Sequence, residues 1–481
     1  MKRTFTILII LLTGILPALL AQSNRPLLNS KGISETNVDV YGSPVVIEQV
    51  AIDAPEAGWV VVNFNGMCHP DAGDNIVLAA SDATSWSPND GRTSVYNERS
   101  SFSHTRVYEI NQGMDNFYAI AQNYVHTAGD GHISLYGNLS AEFYPYTGAV
   151  RVAYSGISKT NIDLRGSPVE LGQVTIDANT SGKVIVRFDG DCYPDMGDRI
   201  VLAASNTPSW TANDGNVSVR NEDGTFSHVR VYDVNPGLNT FYAVGQNYVD
   251  QGGSGYASVY GNLVAEFYPS ASNAMVDATG IGKSYIDLRG NPVALDSITV
   301  NPGISGTALV HFDGVCNPDN GDRIVLAASD DRDWDANDGN VNVDDEYACF
   351  SHSRAYTISQ GSHTFYGVGE NYVNQGGNGL ASIFANLAVK FFPDDNTSIS
   401  NSKNENILKV YPNPTSDLLT IEFNKANSSQ FTILNTAGQL IESAELTVPH
   451  TKIDISGLAA GVYYVMIQGA ENMYIRKIVK Q

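Results

Sequence analysis

The sequence repeats itself three times at a constant interval of 124 residues. Cys68, Cys192 and Cys316 mark the three copies, and four further sets of landmarks keep the same interval. These sets are Ile33/Ile157/Ile281, Trp86/Trp210/Trp334, Phe102/Phe226/Phe350 and Pro145/Pro269/Pro393. A unit of this length can enclose its own core, whereas a solenoid repeat of about 20–50 residues cannot. We therefore expect three tandem domains, at residues 32–147, 148–271 and 272–395.

The second copy shows the expected secondary structure most clearly. Its apolar segments are rich in Val, Ile, Tyr and Phe, and Ser-Gly, Asp-Gly, Pro-Gly and Gly-Gly turns separate them. The predicted strands are Asn161–Leu164, Val169–Asp177, Lys183–Asp189, Asp198–Ser205, Val217–Arg220, Phe226–Val234, Thr240–Val249 and Tyr256–Tyr268. No segment has a helical apolar stripe. Eight short strands per copy predict an all-β protein of three β-sandwich or jelly-roll domains.

The order of these segments resembles a known fold family. The run GKVIVRFDG, GDRIVLAAS, FSHVRVYDVNPG, NTFYAVGQNYV, GYASVYGNLVAEFYP is similar to the jelly roll of the complement and tumour-necrosis-factor superfamily. That resemblance implies trimerisation through an aromatic face, so one chain with three copies would form an intramolecular pseudo-trimer. Joining segments such as Thr147–Asn161 are long enough to reach a neighbour. For the fold, the alternative is a generic lectin-like or immunoglobulin-like sandwich. For the arrangement, the alternative is three independent domains on a string.

The N-terminus has the pattern of a secretory signal peptide at residues 1–21. Lys2 and Arg3 precede an apolar run from Phe5 to Leu20, and cleavage would follow Ala21. A membrane anchor is the alternative, but the run is short and contains Gly14 and Pro17. We expect residues 22–31 to be a linker and the mature protein to be exported, and not an integral membrane protein.

The C-terminal part has a different composition. A polar linker at residues 396–405 leads into a segment, 406–481, that resembles the type A sorting domain of the type IX secretion system of Bacteroidetes. The matching positions are Tyr411, Pro412, Asn413, Pro414, Gly438, Gly461, Tyr463 and Lys477. The resemblance implies a small immunoglobulin-like β-sandwich recognised by the secretion machinery, and a product that is released or attached to surface lipopolysaccharide. An immunoglobulin-like domain retained in the mature protein is the alternative.

Charge limits the partners of this chain. It carries 51 acidic against 28 basic residues, a formal net charge of −23, which argues against nucleic acid or an anionic membrane as a partner. Acidic and amide side chains recur in Gly-bearing loops, an arrangement suited to Ca²⁺; turn formation alone is the alternative. The candidate metal ligands are Asp71, Asp74, Asn89, Asp90, Asp195, Asp198, Asn213, Asp214, Asp319, Asp322, Asn337 and Asp338.

Three other residue types are candidates for sites. Trp86, Trp210 and Trp334 lie beside these loops and either stack on a glycan or close the end of a core. The histidines at 104, 228 and 352 are expected to be structural, because each follows a serine on a strand and the two side chains point to opposite faces. Cys316 and Cys349 are candidates for a disulfide; Cys68 and Cys192 would then be buried thiols or, if adjacent, an interdomain bridge.

No nucleophile, zinc or phosphate-loop motif is present in the sequence. Triplication of one unit suits avidity, so we expect a secreted or surface protein for binding or adhesion, with a glycan as ligand. Two alternatives stay open: a structural surface protein without a specific ligand, and a glycoside hydrolase using loop carboxylates.

Deleting residues 405–481 is expected to trap the protein in the periplasm, because the sorting segment would be lost while the signal peptide is kept. Fractionation of cells expressing the full-length and truncated chains tests this. Normal appearance of the truncated chain outside the cell would contradict the sorting assignment.

Overall fold

A computed structural model describes most of the chain. The described residues are 25–85, 92–96, 99–126, 129–209, 216–220, 223–250, 252–333, 339–344, 347–374, 377–394, 408–423, 429–435, 440–446, 448, 450–468 and 473–481. They form β-strands and no helix. Two compact units result, one ending at Asp394 and the other beginning at residue 395. The predicted signal peptide and the linker at 396–405 lie outside the described residues.

Each repeat contributes eight strands to the first unit. Repeat 1 contains β1 (Leu27–Asp39), β2 (Val45–Ala54), β3 (Gly58–Pro70), β4 (Asp74–Ser81), β5 (Thr93–Tyr96), β6 (Ser100–Ile110), β7 (Gly113–His126) and β8 (His132–Pro145). Repeat 2 contains β9 (Arg151–Asp163), β10 (Val169–Ala178), β11 (Gly182–Pro194), β12 (Asp198–Ser205), β13 (Val217–Arg220), β14 (Gly224–Val234), β15 (Gly237–Asp250) and β16 (Tyr256–Pro269). Repeat 3 contains β17 (Met275–Asp287), β18 (Val293–Val300), β19 (Gly306–Pro318), β20 (Asp322–Ser329), β21 (Val341–Asp344), β22 (Ala348–Ile358), β23 (His363–Asn374) and β24 (Leu380–Pro393).

The eight strands form two antiparallel four-stranded sheets in every repeat. In repeat 1 the inner sheet has the order β1-β8-β3-β6 and the outer sheet the order β2-β7-β4-β5. Repeats 2 and 3 have the same two orders, shifted by eight and sixteen strands. Consecutive strands alternate between the two sheets except for the fourth and fifth, which form a hairpin in the outer sheet. This is the jelly-roll topology, so the predicted all-β class and sandwich architecture are confirmed.

The predicted strands of repeat 2 match the observed ones except at the start. β9 begins at Arg151, ten residues before the predicted Asn161, and so occupies most of the segment expected to join two domains. β1 likewise begins at Leu27, inside the stretch 22–31 predicted as a linker. Both are edge strands, and most of their side chains alternate between half-buried and exposed positions. An edge strand of this kind lacks the apolar run that a sequence search detects.

Each repeat has its own core between its two sheets. An edge-to-face phenylalanine pair recurs in every copy, with ring centroids 4.7 Å apart for Phe64–Phe102, 4.7 Å for Phe188–Phe226 and 4.8 Å for Phe312–Phe350. Each core is built mainly from one repeat, but Val315 and Cys349 of repeat 3 join the core of repeat 2, and Met67 of repeat 1 joins the core of repeat 3.

The three inner sheets pack against one another through a second, shared core. Equivalent residues of the three repeats meet there: Val61, Ile185 and Leu309, together with Tyr144, Tyr268 and Phe392. The Tyr144 ring centroid lies 6.3 Å from that of Tyr268 and 6.1 Å from that of Phe392. Because equivalent positions converge, the repeats are arranged around a pseudo-threefold axis as an intramolecular pseudo-trimer, not as separate domains on a string.

A cyclic set of hydrogen bonds links each repeat to the next. Ser103 Oγ of repeat 1 donates to Asp189 Oδ2 of repeat 2 over 3.0 Å, and Ser227 Oγ of repeat 2 donates to Asp313 Oδ1 of repeat 3 over 3.0 Å. Asn65 of repeat 1 closes the ring, because its Nδ2 donates to Ser351 Oγ of repeat 3 over 3.1 Å. The same head-to-tail contact thus occurs three times and the ring is closed.

Beside the shared apolar core lies a buried charged layer. Lys390 Nζ donates to Glu142 Oε2 and, over 3.0 Å, to Glu266 Oε1, and the three side chains are at most 5% exposed. Tyr144 Oη lies 2.7 Å from Glu142 Oε2 and 2.6 Å from Glu266 Oε2. Burial, followed by the opposing effect of Lys390, leaves the pKa of Glu142 raised. The three charged residues occupy equivalent positions, so the third copy supplies the cation that the first two require.

The structure contradicts the predicted disulfide. All four cysteines are buried free thiols, so neither a Cys316–Cys349 bond nor a Cys68–Cys192 bridge forms. Cys349 pairs across the sheet with Val315, and Cys316 pairs with Ala348. Cys316 and Cys349 therefore point to opposite faces of one sheet. Cys316 packs in the core of repeat 3, whereas the Cys349 thiol donates to Ser218 O of repeat 2 over 3.4 Å.

The second unit is a small β-sandwich of two antiparallel sheets. Its strands are β25 (Leu408–Tyr411), β26 (Leu418–Phe423), β27 (Ser429–Asn435), β28 (Leu440–Leu446), β29 (His450–Asp454), β30 (Gly461–Gln468) and β31 (Met473–Lys480). The sheet orders are β25-β26-β29 and β28-β27-β30-β31. Leu419, Ile421, Phe431, Val465 and Ile478 are among its core residues. This sandwich is the fold that the resemblance of the tail implies.

Replacing Lys390 with Met is expected to destabilise the first unit by about 3–5 kcal/mol, because two buried carboxylates would lose their cation. Urea unfolding of the full chain, followed by tryptophan fluorescence at neutral pH, measures this. Lys183→Met is the matched control, since Lys183 also makes an inter-repeat ion pair, with Asp277, but one that is 37% and 46% exposed; its loss is expected to cost at most about 1 kcal/mol. Equal effects of the two substitutions would contradict the role given to the buried layer.

Candidate functional site

The metal ligands predicted from the sequence divide into two groups. Asn89, Asp90, Asn213, Asp214, Asn337 and Asp338, with the candidate glycan-binding Trp86, Trp210 and Trp334, lie outside the described residues. The remaining six are the aspartates at 71, 74, 195, 198, 319 and 322, which the structure describes. Within the described part of the chain, no group of three or more His, Cys, Asp or Glu side chains is placed to hold a metal ion. Calcium binding therefore stays a prediction.

The described aspartates organise loops. Asp74, Asp198 and Asp322 are buried, and their Oδ2 atoms accept the backbone N–H of Gly131, Gly255 and Gly379 over 3.0, 2.7 and 2.7 Å. The backbone N–H groups of the same three aspartates donate to the carbonyls of Asp71, Asp195 and Asp319 over 3.0–3.1 Å. These contacts are those of turn-forming aspartates.

The strand histidines are structural in the way that the alternation predicts. The Nδ1 atoms of His104, His228 and His352 accept the backbone N–H of Ala80, Ala204 and Ala328 over 3.0, 2.9 and 3.0 Å. Each histidine therefore ties an edge strand of the inner sheet to the outer sheet. The neighbouring serines point the other way, towards the pseudo-threefold axis, so no serine–histidine pair exists at these positions.

Two cavities lie between neighbouring repeats of the first unit. One, of about 600 Å³, lies between repeats 2 and 3, and another, of about 710 Å³, lies between repeats 3 and 1. Both volumes fall in the range of small-ligand sites. Equivalent strands line the two cavities. In the first, β12 and β14 of repeat 2 face β17 and β24 of repeat 3; in the second, β20 and β22 of repeat 3 face β1 and β8 of repeat 1. We call them the 2/3 cavity and the 3/1 cavity.

The 2/3 cavity combines arginine, tyrosine and asparagine side chains. Arg199 Nε donates to Ser218 Oγ over 3.1 Å, and its Nη2 donates to Tyr347 Oη of repeat 3 over 3.3 Å. Tyr248 and Tyr347 face the Arg199 guanidinium at 5.5 and 5.1 Å from their ring centroids. Further lining residues are Asn216, His228, Arg230, Ile281, Phe384 and Asn386.

The 3/1 cavity has the same plan with two changes of charge: Asp344 stands at the position of Arg220, and Arg99 stands at the position of Tyr347. Arg323 Nε donates to Asp344 Oδ1 over 2.8 Å, and Arg99 Nη1 of repeat 1 lies 3.6 Å from Asp344 Oδ2. Arg354 is stacked on Tyr356, 5.4 Å from its ring centroid. Asp344 occupies the position that Arg220 occupies in repeat 2. The two cavities thus share a shape but differ in electrostatics.

Two histidines of the 3/1 cavity are held neutral at physiological pH. Burial, followed by the charge of Arg354, lowers the pKa of His352 to about 3. Burial, followed by Arg99 and Arg323, lowers the pKa of His69 to about 4. A neutral His352 is required for its Nδ1 to accept the Ala328 N–H.

Sequence reasoning did not find these cavities. Their walls come from two repeats, so the residues that face one another are far apart in the chain and share no local motif. The one signal in the sequence that could have indicated the cavities is a difference in charge between equivalent positions of two repeats, such as Arg220 and Asp344.

Among the sorting-motif residues of the tail, Asn413 contacts the last strand. Asn413 Nδ2 donates to Lys477 O over 2.8 Å, and Asn413 Oδ1 accepts the Val479 N–H over 2.9 Å. Tyr463 Oη donates to Ala459 O over 2.9 Å. Tyr411 is 44% exposed, and Gly438 lies outside the described residues. Asn413 therefore fixes the Tyr-Pro-Asn-Pro segment to β31.

Comparison with known proteins agrees with this tail. Residues 409–481 match the family model described as the secretion system C-terminal sorting domain. The chain therefore carries a type IX sorting domain, and the protein is exported by that system and is secreted or attached to the outer-membrane surface. No curated protein matches the sequence.

Similarity to solved structures is low. PorZ, a surface component of the type IX secretion system of Porphyromonas gingivalis, is 19% identical over 19% of this chain with a TM-score of 0.15, and this chain spans 14% of the PorZ chain. Peptide:N-glycanase F is 11% identical, with 50% and 96% of the two chains covered and a TM-score of 0.25. A structure from Sulfolobus Turreted Icosahedral Virus is 10% identical, with 76% and 91% covered and a TM-score of 0.19.

The described residues include no helix long and apolar enough to span a membrane.

Acid is expected to destabilise the protein partly through His352. The pKa of His352 is about 3 in the folded state, against 6.5 for an unperturbed histidine. Its contribution to the free energy of unfolding is therefore complete above pH 6.5 and declines as the pH falls towards 3. Between pH 7.5 and 4.5 the expected loss from this group is about 2–3 kcal/mol. His352→Asn keeps an acceptor near Nδ1 and should lessen the fall in melting temperature over this range, whereas His363→Gln, which alters a surface histidine, should not. An unchanged acid response in His352→Asn would contradict this.

Proposed function

We propose that this exported protein is a binding protein whose pseudo-trimeric first unit binds a glycan in the cavities between its repeats. The observation that carries the proposal is the pair of equivalent inter-repeat cavities, each with arginine, tyrosine and asparagine side chains around a volume of sugar size. Tyrosine rings stack on sugar faces, and guanidinium and amide groups bind sugar oxygens. Export to the cell exterior places such a site where it meets extracellular glycans.

Two sites on one frame also suit avidity. Because the repeats are held together by a buried core and by buried ion pairs, the cavities keep a fixed spacing. A polymer with a repeating unit can then engage both cavities, and the second contact forms at a high effective concentration.

A purely structural role is the second candidate. The shared apolar core and the buried Glu142–Glu266–Lys390 layer support assembly of the repeats without any ligand. The glycan-binding role and the structural role make different predictions about the cavities. A glycan-binding protein needs open, polar cavities, whereas a structural protein does not. The hydrolase alternative requires two carboxyl groups in a cleft, whereas the carboxyl group described beside the 3/1 cavity, that of Asp344, is paired with Arg323 and Arg99.

A glycan array probed with the wild-type protein, with and without a calcium chelator, tests the proposal. Gly282→Trp should fill the 2/3 cavity, and Ser34→Trp should fill the equivalent place in the 3/1 cavity. The double variant is expected to bind the glycan at least tenfold more weakly than the wild type. Gly282 lies where an added Cβ would be 3.9 Å from Phe384 Cδ1, so the backbone tolerates the change. Thr175→Trp, on an exposed outer-sheet position, is the control. Unchanged binding by the double variant, or silence of the wild type on the array, would overturn the proposal.

A further inference from the structure

The 2/3 cavity has an unusual charge for this protein. Repeat 2 places Arg199, Arg220 and Arg230 at or beside it, although the chain as a whole carries a net charge of −23. In the described part of the chain, no carboxylate lies within 4.0 Å of any of these three guanidinium groups; their recorded partners are hydroxyl groups and tyrosine rings. Guanidinium groups that lie close together without a carboxylate beside them repel one another, and a bound anion reduces that repulsion.

Tyr347 of repeat 3 holds two of these arginines in place. The Arg220 guanidinium carbon lies 4.0 Å from the Tyr347 ring centroid, and Arg199 faces the same ring at 5.1 Å. Ser218 Oγ donates to Tyr347 Oη over 2.6 Å. Burial, followed by the charge of Arg199, lowers the pKa of Arg220. The arginines are thus positioned before any ligand arrives, which reduces the entropy lost on binding.

Arg230 completes the cationic wall from a third strand. Its guanidinium carbon lies 5.5 Å from the ring centroid of Tyr232, and it lines the cavity together with Asn216 and Tyr248. Guanidinium groups present paired N–H donors that match the two oxygens of a carboxylate, sulfate or phosphate. The exposed Tyr248 ring and the Asn216 and Asn386 amides offer contacts to an uncharged part of the same ligand.

The 3/1 cavity provides an internal comparison. There Asp344 stands at the position of Arg220 and pairs with both Arg323 and Arg99. As far as the described residues extend, the same scaffold therefore carries one cavity whose arginines have a protein carboxylate as partner and one whose arginines do not. The difference lies in the wall charge and not in the fold.

We propose that the 2/3 cavity binds a carboxylated saccharide, with the carboxylate at Arg199, Arg220 and Arg230 and the sugar ring against Tyr248. This inference rests on the proposed function, that the inter-repeat cavities bind glycans, and names the class of ligand for one of them. The protein carboxylate of the 3/1 cavity occupies the place that the ligand carboxylate takes in the 2/3 cavity.

Isothermal titration of the full-length protein with digalacturonate, its neutral methyl ester, sodium sulfate and sodium phosphate tests this. Digalacturonate is expected to bind at one site per chain and at least tenfold more tightly than the ester. Arg220→Asp, which introduces the carboxylate that Asp344 supplies in the 3/1 cavity, should weaken digalacturonate binding at least tenfold. Asp344→Arg, which removes that carboxylate and leaves Arg99 and Arg323 without it, should add a second site.

The control is Arg165→Asp, which makes the same charge change outside the cavity and should leave affinity unchanged; circular dichroism and melting temperatures verify folding of each variant. Equal affinity for digalacturonate and its ester, or an unaltered affinity in a folded Arg220→Asp variant, would overturn the anion assignment. Sulfate or phosphate binding as tight as that of digalacturonate would overturn the saccharide part. Neutral-glycan binding that Gly282→Trp blocks but Arg220→Asp does not would overturn this inference while retaining the proposed function.

Discussion

The packing of three inner sheets around one axis is the constraint on which the rest of the first unit depends. At that axis, residues at equivalent positions of the three repeats must share a small buried volume. Apolar and aromatic groups such as Tyr144, Tyr268 and Phe392 can meet there without further adjustment. Charged groups cannot, because three equal charges in a buried layer would repel one another. The third repeat therefore carries Lys390 where the first two carry Glu142 and Glu266.

Fusion of the three repeats into one chain allows a lysine in one repeat to lie opposite glutamates in the other two. A homotrimer of identical subunits places the same residue three times at its axis. A single chain can assign a different residue to each copy, and the polar layers show such differences: Asn65, Asp189 and Asp313 at one level, and Asn63, Arg187 and His311 at another. Arg187 Nη2 and His311 Nδ1 lie 2.7 Å apart, a contact between equivalent positions that identical subunits could make only with the same residue on both sides. The order of the repeats around the axis is thereby specified.

The same arrangement creates the cavities. Each is bounded by an edge strand of one repeat and by the first and last strands of the next, so it exists only when the ring is closed. Because its walls belong to two copies, its charge can be altered by one substitution in one copy without affecting the other cavities. Arg220 and Asp344 show this in the two cavities described here. The sorting domain is a separate unit with its own core and directs export. The sequence of the three repeats in the first unit can therefore differ without altering the export signal.

Several features follow from the sequence alone. The 124-residue period defines three repeats, the turn-punctuated apolar segments define most of the strands, and the sorting motif identifies the tail, because each depends on local pattern or on self-similarity of the sequence. The edge strands β1 and β9 escaped detection in part, since half-buried edges carry no apolar run. The assignment of Cys316 and Cys349 to a disulfide failed because a one-residue difference in strand register places them on opposite faces. The pseudo-trimer, its charged axis and its cavities were decided by tertiary structure, because they arise from contacts between residues far apart in the chain, for example 84 positions for Thr105–Asp189 and 368 positions for Arg25–Pro393. No local pattern records which of these residues will meet.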